Sequence, residues 1–296
     1  MTREGCSGEM GKQALLLRRL LRPFVLGLSA LAVFGGLSGL ALGQGSHALL
    51  IDIDDAINPI TAGFLDRAVE RAEKDGAELL IVRLDTPGGL LSSTRSMVTD
   101  LLEARVPTVV YVAPGGAHAA SAGTFIAAAA NFAAMAPGTN IGAASPVGTG
   151  GEELPETLKD KATQDAAALM RDIASTRGRN VEKLEQTVLW ATAYSSEEAV
   201  ALDVVDFIAV DLEDLLQKLD GKTVDTPLGP RVLHTEGLQV RSLDMSLMER
   251  FLIILSDPNI AFILLVIGGL GIVIELFSPG MVVPGVVGAI CLLLAF

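Results

Sequence analysis

The chain has 296 residues, of which half are hydrophobic, and its formal net charge is −13. This length can form one or two domains with a sizeable core, and the acidic charge argues against a nucleic-acid partner, because nucleic acids attract basic surfaces. The two cysteines, Cys6 and Cys291, lie near the chain ends and the three histidines are scattered, so we expect no disulfide framework, no metal site and no cofactor.

The N-terminus carries a membrane-directed segment. Arg18, Arg19 and Arg22 precede an apolar run over 24–42, which ends in Ala41-Leu42-Gly43. A basic flank, an apolar stretch and a small-x-small exit predict a signal peptide or anchor over residues 1–43, and cleavage near Gly43 is favoured over retention. Because the basic flank stays in the cytoplasm, we expect the domain that follows to be extracytoplasmic.

The C-terminal part has two further apolar runs, over 260–276 and 281–296. Their length and near absence of charge predict a transmembrane region over residues 251–296, preceded by a linker over 221–250. A buried pair of core helices is the alternative. Because the chain ends inside a hydrophobic run, we expect it to be a fragment of a longer protein.

Residues 44–220 show the alternation typical of an α/β domain. Apolar strand patterns alternate with amphipathic helical patterns, which indicates βαβ crossovers and a parallel sheet covered by helices. The expected strands are 48–53, 79–84, 108–112 and 204–210, and the expected helices are 60–74, 90–104, 124–130, 158–177, 181–187 and 212–219.

Two strand-to-helix turns carry the candidate chemistry. Ser121 lies in His118-Ala-Ala-Ser-Ala-Gly-Thr124, and Asp85-Thr-Pro-Gly-Gly89 follows another strand. Ligands of parallel sheets bind beyond the carboxyl ends of strands, so both turns could face one site. The amide of Gly88 or Gly89 and that of Ala122 could then hold an oxyanion. Alternatively, Ser121 is only a helix N-cap and Pro-Gly-Gly is only a turn.

A nucleophilic serine needs a base. His118 is only three residues from Ser121, where proton abstraction is sterically awkward, and the other histidines are poorly placed for a triad. Lysine remains. If Thr157 and Asp160 cap the next helix, Lys159 and Lys161 lie in its first turn, where the helix dipole and burial would favour the neutral amine. Both could equally be solvated surface lysines, and composition does not choose between them.

These motifs resemble those of a known family. Asp85-Thr-Pro-Gly-Gly89, Ala120-Ser-Ala-Gly123, the Thr139–Val147 segment and Gly178-Arg-Asn180 occur in this order. Together they resemble the NfeD family of membrane-bound serine proteases, which are relatives of the Clp protease subunit and of signal peptide peptidase A. The resemblance implies an α/β fold of the ClpP/crotonase type, with an N-terminal signal or anchor and C-terminal transmembrane helices.

The resemblance also implies a catalytic mechanism. Family proteases use a Ser-Lys dyad, in which the serine corresponds to Ser121 and the lysine, 17 residues before the glycine of Gly178-Arg-Asn180, corresponds to Lys161. Gly88 or Gly89 with Ala122 would form the oxyanion hole. The implied function is an endopeptidase that cleaves apolar segments of membrane-associated proteins such as stomatin-like partners, and archaeal relatives imply a homodimer.

Two other functions remain as alternatives. A non-catalytic membrane scaffold could keep the fold and bind stomatin-like proteins without cutting them, because fold alone does not determine function. Crotonase-like acyl-CoA chemistry would use a similar oxyanion geometry. It is disfavoured by the expected export and by the absence of a basic cluster for the phosphates of coenzyme A.

Overall fold

The computed structural model describes residues 47–148, 155–278 and 282–295. The signal or anchor expected over residues 1–43 lies outside these ranges. In the described residues the strands are β1 (His47–Ile53), β2 (Leu79–Leu84), β3 (Thr108–Val112), β4 (His118–Ala120), β5 (Phe132–Met135), β6 (Asn140–Gly142), β7 (Ala193–Ser195), β8 (Phe207–Ile208), β9 (Thr223–Thr226), β10 (Gly229–Val232) and β11 (Gln239–Ser242).

Helices connect these strands and continue into the C-terminal part. They are α1 (Pro59–Asp75), α2 (Leu91–Glu103), α3 (Ala122–Ala129), α4 (Glu156–Arg177), α5 (Val181–Leu189), α6 (Ser196–Ala201), α7 (Leu212–Leu219), α8 (Leu247–Ser256), α9 (Pro258–Phe277) and α10 (Val283–Ala295). The alternation of strands and helices that the sequence predicted between residues 48 and 130 is confirmed.

The main sheet has six strands in the order β11-β1-β2-β3-β5-β8. Every pairing in it is parallel, as expected for βαβ crossovers. A smaller sheet joins β4, β6 and β7, with β4 parallel and β7 antiparallel to β6. The expected α/β architecture with a parallel sheet is therefore present.

The two faces of the main sheet pack against different layers. Alternate strand residues such as Leu49 and Ile51 face a large core formed with helices α1 to α5. The intervening residues, such as Ala48 and Leu50, face a smaller core that includes Leu215 and Leu219 of α7. A strand buried on both faces has a continuous apolar sequence, which is why the sequence predicted Leu79–Leu84 as a strand.

The short helix α3 runs through the larger core. All eight of its residues are buried, and its alanines let neighbouring elements approach closely. Its C-terminal carbonyl groups are satisfied by two arginines: Arg177 Nε donates to Ala129 O at 2.7 Å, and Arg179 donates to Ala128 O and Ala130 O at 3.2 Å. Buried helix ends need such partners.

Several strands escaped sequence analysis. β5 consists largely of alanine and methionine rather than β-branched residues, and β4 and β7 have only three residues each. Such short segments form strands because neighbouring backbone offers hydrogen bonds, and a local pattern does not encode that neighbour. The predicted closing strand over 204–210 is reduced to β8.

Residues 221–250, expected as a linker, contain regular structure. β9 and β10 form an antiparallel hairpin. β11 then pairs in parallel with β1, so that His47 lies opposite Gln239. This edge strand was not anticipated, because its sequence, Gln239-Val-Arg-Ser242, has little apolar content.

The C-terminal helices α9 and α10 pack tightly together. A Cβ atom added to Gly288 would lie 2.8 Å from the carbonyl oxygen of Gly268, so the two helices touch through their backbones. In the described part of the chain, α9 is the helix that is long and apolar enough to cross a membrane. Only 6% of its most apolar window is buried, which does not fit the alternative of a buried core helix.

Candidate active site

Ser121 has an unusual backbone conformation. It lies between β4 and α3 with φ 51° and ψ −111°, a strained combination for a residue with a side chain. Its amide donates to Gly142 O at 2.9 Å. Ser121 occupies the N-cap position of α3, but its side chain makes no capping hydrogen bond, so side-chain capping does not account for a serine here. Within the described residues, the hydroxyl has no hydrogen-bond partner and is free to meet a ligand.

Gly88 lies directly against this serine. A Cβ atom built on Gly88 would be 2.7 Å from Ser121 Cβ and 3.1 Å from Ser121 Oγ. Gly88 also has φ 121°, which side chains rarely tolerate. The two glycine- and serine-containing turns therefore meet at one place, as the sequence predicted from their positions after parallel strands.

The backbone of Ile57 holds the residues on both sides of Gly89 by hydrogen bonds. Ile57 N donates to Gly88 O and Leu90 N donates to Ile57 O, both at 2.8 Å. In a trans peptide the N–H points opposite to the preceding carbonyl, so the Gly89 N–H points away from Ile57. Neither this amide nor that of Ala122 has a partner among the residues that the structure describes, whereas the Gly88 N–H contacts Thr86 Oγ1 at 3.2 Å.

A buried hydroxyl and a carboxylate hold the serine turn. Thr124 Oγ1 lies 2.9 Å from Ala119 O and 3.0 Å from Gly142 O. Asp85 Oδ1 accepts from the His118 amide at 3.0 Å and lies 3.2 Å from His118 Nδ1. His118 is therefore engaged with Asp85 through both its amide and its ring. Asp85 was part of a quoted motif, but its positioning of the β4 backbone was not foreseen.

Lys161 is not in contact with Ser121 in this structure. α4 begins at Glu156 after Pro155, without a side-chain cap, so the expected capping by Thr157 and Asp160 is wrong because both residues lie inside the helix. Lys159 and Lys161 are exposed, and neither side chain makes an ion pair or hydrogen bond with another described residue. The burial expected for the candidate base is therefore absent here.

Contacts between helices α2, α3 and α4 show on which side of the domain the amino end of α4 lies. Arg177 Nη2 donates to Leu101 O at 2.8 Å while its Nε contacts Ala129 O, so the carboxyl ends of α2, α3 and α4 meet at Arg177. Arg95 of α2 pairs with Asp165 of α4 nearer their amino ends. These helices therefore run in the same sense, and the amino end of α4, with Lys161, lies on the side of Ser121.

No group of three or more metal-ligating side chains occurs within 47–148, 155–278 and 282–295. A surface cavity of about 410 Å³ is lined by Gly178, Arg179, Asn180 and Asp206. Arg179 is engaged there with Asp206 and with α3 carbonyls. This cavity is accordingly part of the support of α3 and is separate from Ser121.

Comparison with known proteins identifies the family. The family described as NfeD1b, N-terminal domain, matches residues 47–225, and the NfeD integral membrane domain matches residues 259–296. The chain is 35% identical over 247 residues to the membrane-bound protease PH1510 of Pyrococcus horikoshii, covering 82% of this chain and 56% of the relative. It is 29% identical over 281 residues to the membrane protein NfeD1b of Bacillus subtilis, covering 93% of this chain and 61% of the relative. The chain thus spans about three fifths of the length of these curated relatives.

Solved structures give the same result. A lysine-to-alanine variant of the 1510-N membrane-bound stomatin-specific protease, in complex with a substrate peptide, is 31% identical and superposes with a TM-score of 0.66 over 72% of this chain and 99% of its own. The 1510-N membrane protease specific for a stomatin homolog from Pyrococcus horikoshii is 30% identical, with a TM-score of 0.63 over 72% of this chain and 100% of its own. The chain therefore shares the α/β fold of the 1510-N protease, and it belongs to the NfeD family of membrane proteins.

Proposed function

We propose that this chain is a membrane-bound serine endopeptidase in which Ser121 is the nucleophile and Lys161 the general base. The observation that carries the proposal is the strained Ser121, whose hydroxyl has no partner among the described residues and stands against Gly88. A nucleophile held at a sharp turn beside unpaired amides is the arrangement that acyl transfer requires.

In the proposed mechanism, the neutral amine of Lys161 accepts the proton of Ser121 while Oγ attacks the carbonyl carbon of the substrate. The protonated amine then donates a proton to the leaving nitrogen, and water hydrolyses the acyl-serine ester. The amides of Gly89 and Ala122 would stabilise the tetrahedral oxyanion. One such donor contributes about 3 to 4 kcal/mol to the transition state in comparable enzymes. The mechanism uses no metal or cofactor.

Gly89 is a better oxyanion donor than Gly88, although the sequence left the two open. The Gly88 amide is directed to Thr86 Oγ1 at 3.2 Å. The Gly89 amide points away from Ile57 and has no partner in the described ranges. The role of Gly88 is then to leave space for Ser121, because any side chain there would collide with the nucleophile.

The assignment of Lys161 is supported by the solved relatives. They include one serine-to-alanine and one lysine-to-alanine variant, and the two replaced positions lie 41 residues apart. Ser121 and Lys161 are 40 residues apart, and Lys159 fits this spacing less well. Residues 155–161 are all exposed and the first buried residue of α4 is Ala166. Movement of this helix end toward Ser121 would break no core contact, and we place that movement in the step that binds substrate.

Apolar side chains near the site indicate the substrate. Leu90 and Leu91 follow Gly89, Val147 follows the segment that pairs with Ser121, and Leu158 lies in the first turn of α4. All four are exposed. Exposed apolar side chains around a nucleophile favour an apolar peptide segment. Because a solved relative is described as a stomatin-specific protease, we propose that the substrate is a segment of a membrane-associated, stomatin-like protein.

We place this domain on the extracytoplasmic side, because Arg18, Arg19 and Arg22 precede the first apolar run. A homodimer, as the resemblance implies, completes the proposal. Protease protection of the full chain in oriented vesicles tests the orientation: the site domain should be protected in inside-out vesicles, whose cytoplasmic face is outward, and cleaved in right-side-out vesicles. Crosslinking in the same vesicles tests the dimer.

A second candidate, the non-catalytic scaffold, is favoured by one observation: Lys161 is exposed and makes no hydrogen bond to Ser121. The experiment that decides treats the detergent-solubilised full chain with a fluorophosphonate probe and an apolar peptide. We expect an adduct on Ser121 and hydrolysis that falls about a thousandfold in Ser121→Ala and Lys161→Ala. Lys159→Ala is the matched control and should keep activity within about twofold. Stable binding of a stomatin-like protein without adduct or hydrolysis would establish the scaffold instead.

A further inference from the structure

The helix α8 has a continuous apolar face that the protein leaves uncovered. No residue of α8 is fully buried. Leu247 is 87% exposed, Met248 65% and Ile254 55%. At about 3.6 residues per turn, the apolar residues cover about 160° of the helix circumference. We call this set the outer face; it consists of Leu247, Met248, Phe251, Leu252, Ile254 and Leu255.

The opposite side of α8 is attached to the domain. Glu249 Oε2 lies 2.5 Å from Arg67 Nη2, and Glu249 Oε1 accepts from Arg67 Nε at 3.2 Å. The guanidinium of Arg67 is itself stacked over Phe64 at 5.0 Å. Arg250 pairs more loosely with Asp244, at 3.6 Å. The Arg67–Glu249 contact gives α8 a defined rotation, with Glu249 and the half-buried Ile253 toward the domain and the outer face outward.

This arrangement is the reverse of an ordinary surface helix, whose apolar stripe faces the core. Five of these six large apolar side chains are exposed to water and Leu255 is half-buried beside them; such a stripe would be costly in water, so it requires a cover. α8 is also connected through Asp257 to α9, the candidate membrane span. Since α8 has 10 residues and a helix rises 1.5 Å per residue, its far end is within about 15 Å of the point where the chain enters the bilayer.

We propose that α8 lies along the membrane surface, with its outer face buried among the lipid acyl chains and its polar side holding the protease-like domain through Arg67 and Glu249. Residues 247–256 fall between the two matched domains, 47–225 and 259–296. The outer face carries no lysine or arginine, so its attachment to lipid is hydrophobic and does not require anionic headgroups.

The position of α8 also orients the candidate site. β11, which leads into α8, is parallel to β1, and β1 is parallel to β2, which leads into the Gly88 turn. Their carboxyl ends therefore lie on the same edge of the sheet, separated by two strand spacings, or about 10 Å. This arrangement places Ser121 on the edge of the sheet that faces the membrane. The inference about substrates rests on the proposed function: the substrates are peptide segments that lie at the bilayer surface.

The membrane contact can be tested by fluorescence quenching in the full chain. Trp190 is the sole tryptophan, so Trp190→Phe provides a silent background into which Phe251→Trp is introduced. Leu228→Trp, at an exposed apolar position on the β9–β10 turn, is the matched control. The proteins are reconstituted in phosphatidylcholine vesicles that carry nitroxide lipids labelled either near the headgroup or deep in the acyl chain.

We expect the shallow nitroxide to quench Phe251→Trp at least about twice as strongly as the deep one, and 0.5 M salt to leave this unchanged, because the contact is apolar. The Leu228→Trp control should be quenched by neither. Quenching of Phe251→Trp no greater than that of the control would overturn the proposal, since the outer face would then be covered by a second copy or exposed to water. Stronger quenching by the deep label would also overturn it.

The consequence for substrates has its own test. The double variant F251S/L252S is compared with the control V210S/L228S, which alters exposed apolar residues elsewhere. Each is assayed on one peptide, either free in solution or anchored to the vesicle. We expect F251S/L252S to lose about tenfold on the anchored peptide and to remain within about twofold on the free one. Equal effects on both peptides would overturn the orientation. If the wild type cleaves neither, the proposed function fails, and the quenching result still decides the membrane contact.

Discussion

Gly88 and Ser121 are packed so closely that a single methyl group at position 88 would lie 2.7 Å from the β-carbon of the serine. The two residues belong to different turns, 33 positions apart in the sequence. Their contact places the Ser121 hydroxyl beside backbone amides. Any residue larger than glycine at position 88 would collide with this serine.

We predict that Gly88→Ala reduces kcat/KM for peptide hydrolysis by about a hundredfold, because a displacement of about 1 Å at a nucleophile costs this much. The thermal midpoint should change much less. Gly116→Ala is the matched control: it also has positive φ, 91°, but a Cβ atom there would meet nothing within 4 Å. Similar activity losses in both variants would show that backbone strain, and not the collision with Ser121, is responsible.

Asp100 should make stability depend on pH. Burial, followed by the charges of Asp66 and Glu103, raises its pKa to about 6, and its Oδ2 has no hydrogen-bond partner in the described part of the chain. Because this pKa is higher folded than unfolded, the folded protein binds the proton more tightly. Stability therefore falls as pH rises from about 4 to about 6 and stays lower above that.

We expect Asp100→Asn to increase the free energy of unfolding by about 1 to 2 kcal/mol at pH 8, after allowance for the partial exposure of the carboxyl, and to have little effect at pH 4. Asp172→Asn removes the same charge from an exposed position and controls for net charge. Denaturant unfolding of the detergent-solubilised chain at both pH values measures the difference. A gain in stability that is equal at pH 4 and pH 8 would contradict the titration of Asp100.

Arg177 joins two helix ends. Its guanidinium donates to Ala129 O and Leu101 O, and burial, together with the charge of Arg179, lowers its pKa to about 10. We predict that Arg177→Ala lowers the free energy of unfolding by about 2 to 4 kcal/mol, since it leaves carbonyl groups without donors. Arg71→Ala removes an arginine that pairs on the surface with Asp75 and should cost at most about 0.5 kcal/mol. Equal losses would rule out the capping role.

The contact between α9 and α10 depends on the absence of side chains. A Cβ atom on Gly288 would lie 2.8 Å from Gly268 O, whereas one on Gly269 would meet nothing within 4 Å. We predict that Gly288→Val destabilises the helix pair by about 1 to 3 kcal/mol, and that Gly269→Val does not. Thermal unfolding in detergent, followed by the near-ultraviolet signal and by protease resistance of the C-terminal region, separates the two variants.

Much of the α/β domain could be predicted because its buried elements have local patterns. The continuous apolar run Leu79–Leu84 indicated a strand buried on both faces, and the amphipathic pattern after Asn58 indicated α1. The two turns at Gly88 and Ser121 were also found from the residues alone. The role of Lys161 came from resemblance, and its exposed position in the structure leaves that role as a proposal.

Other features could not be predicted from local patterns. β11 is polar and short, yet it joins the sheet because the edge of β1 offers it hydrogen-bonding groups. The choice of Asp85 as the acceptor for His118 depends on the meeting of two strands. The rotation of α8 depends on Arg67, which is 182 positions away from Glu249 in the sequence.

By itself, the sequence determined the alternation of strands and helices, the two turns with small residues and the apolar C-terminal segments, since each of these results from preferences of neighbouring residues. Only the tertiary structure decided that Gly88 touches Ser121, that of the Gly88 and Gly89 amides the second has no partner among the described residues, and that α8 turns its apolar face away from the domain. Those outcomes depend on packing and hydrogen bonds between residues far apart in the chain, and local periodicity carries no information about such partners.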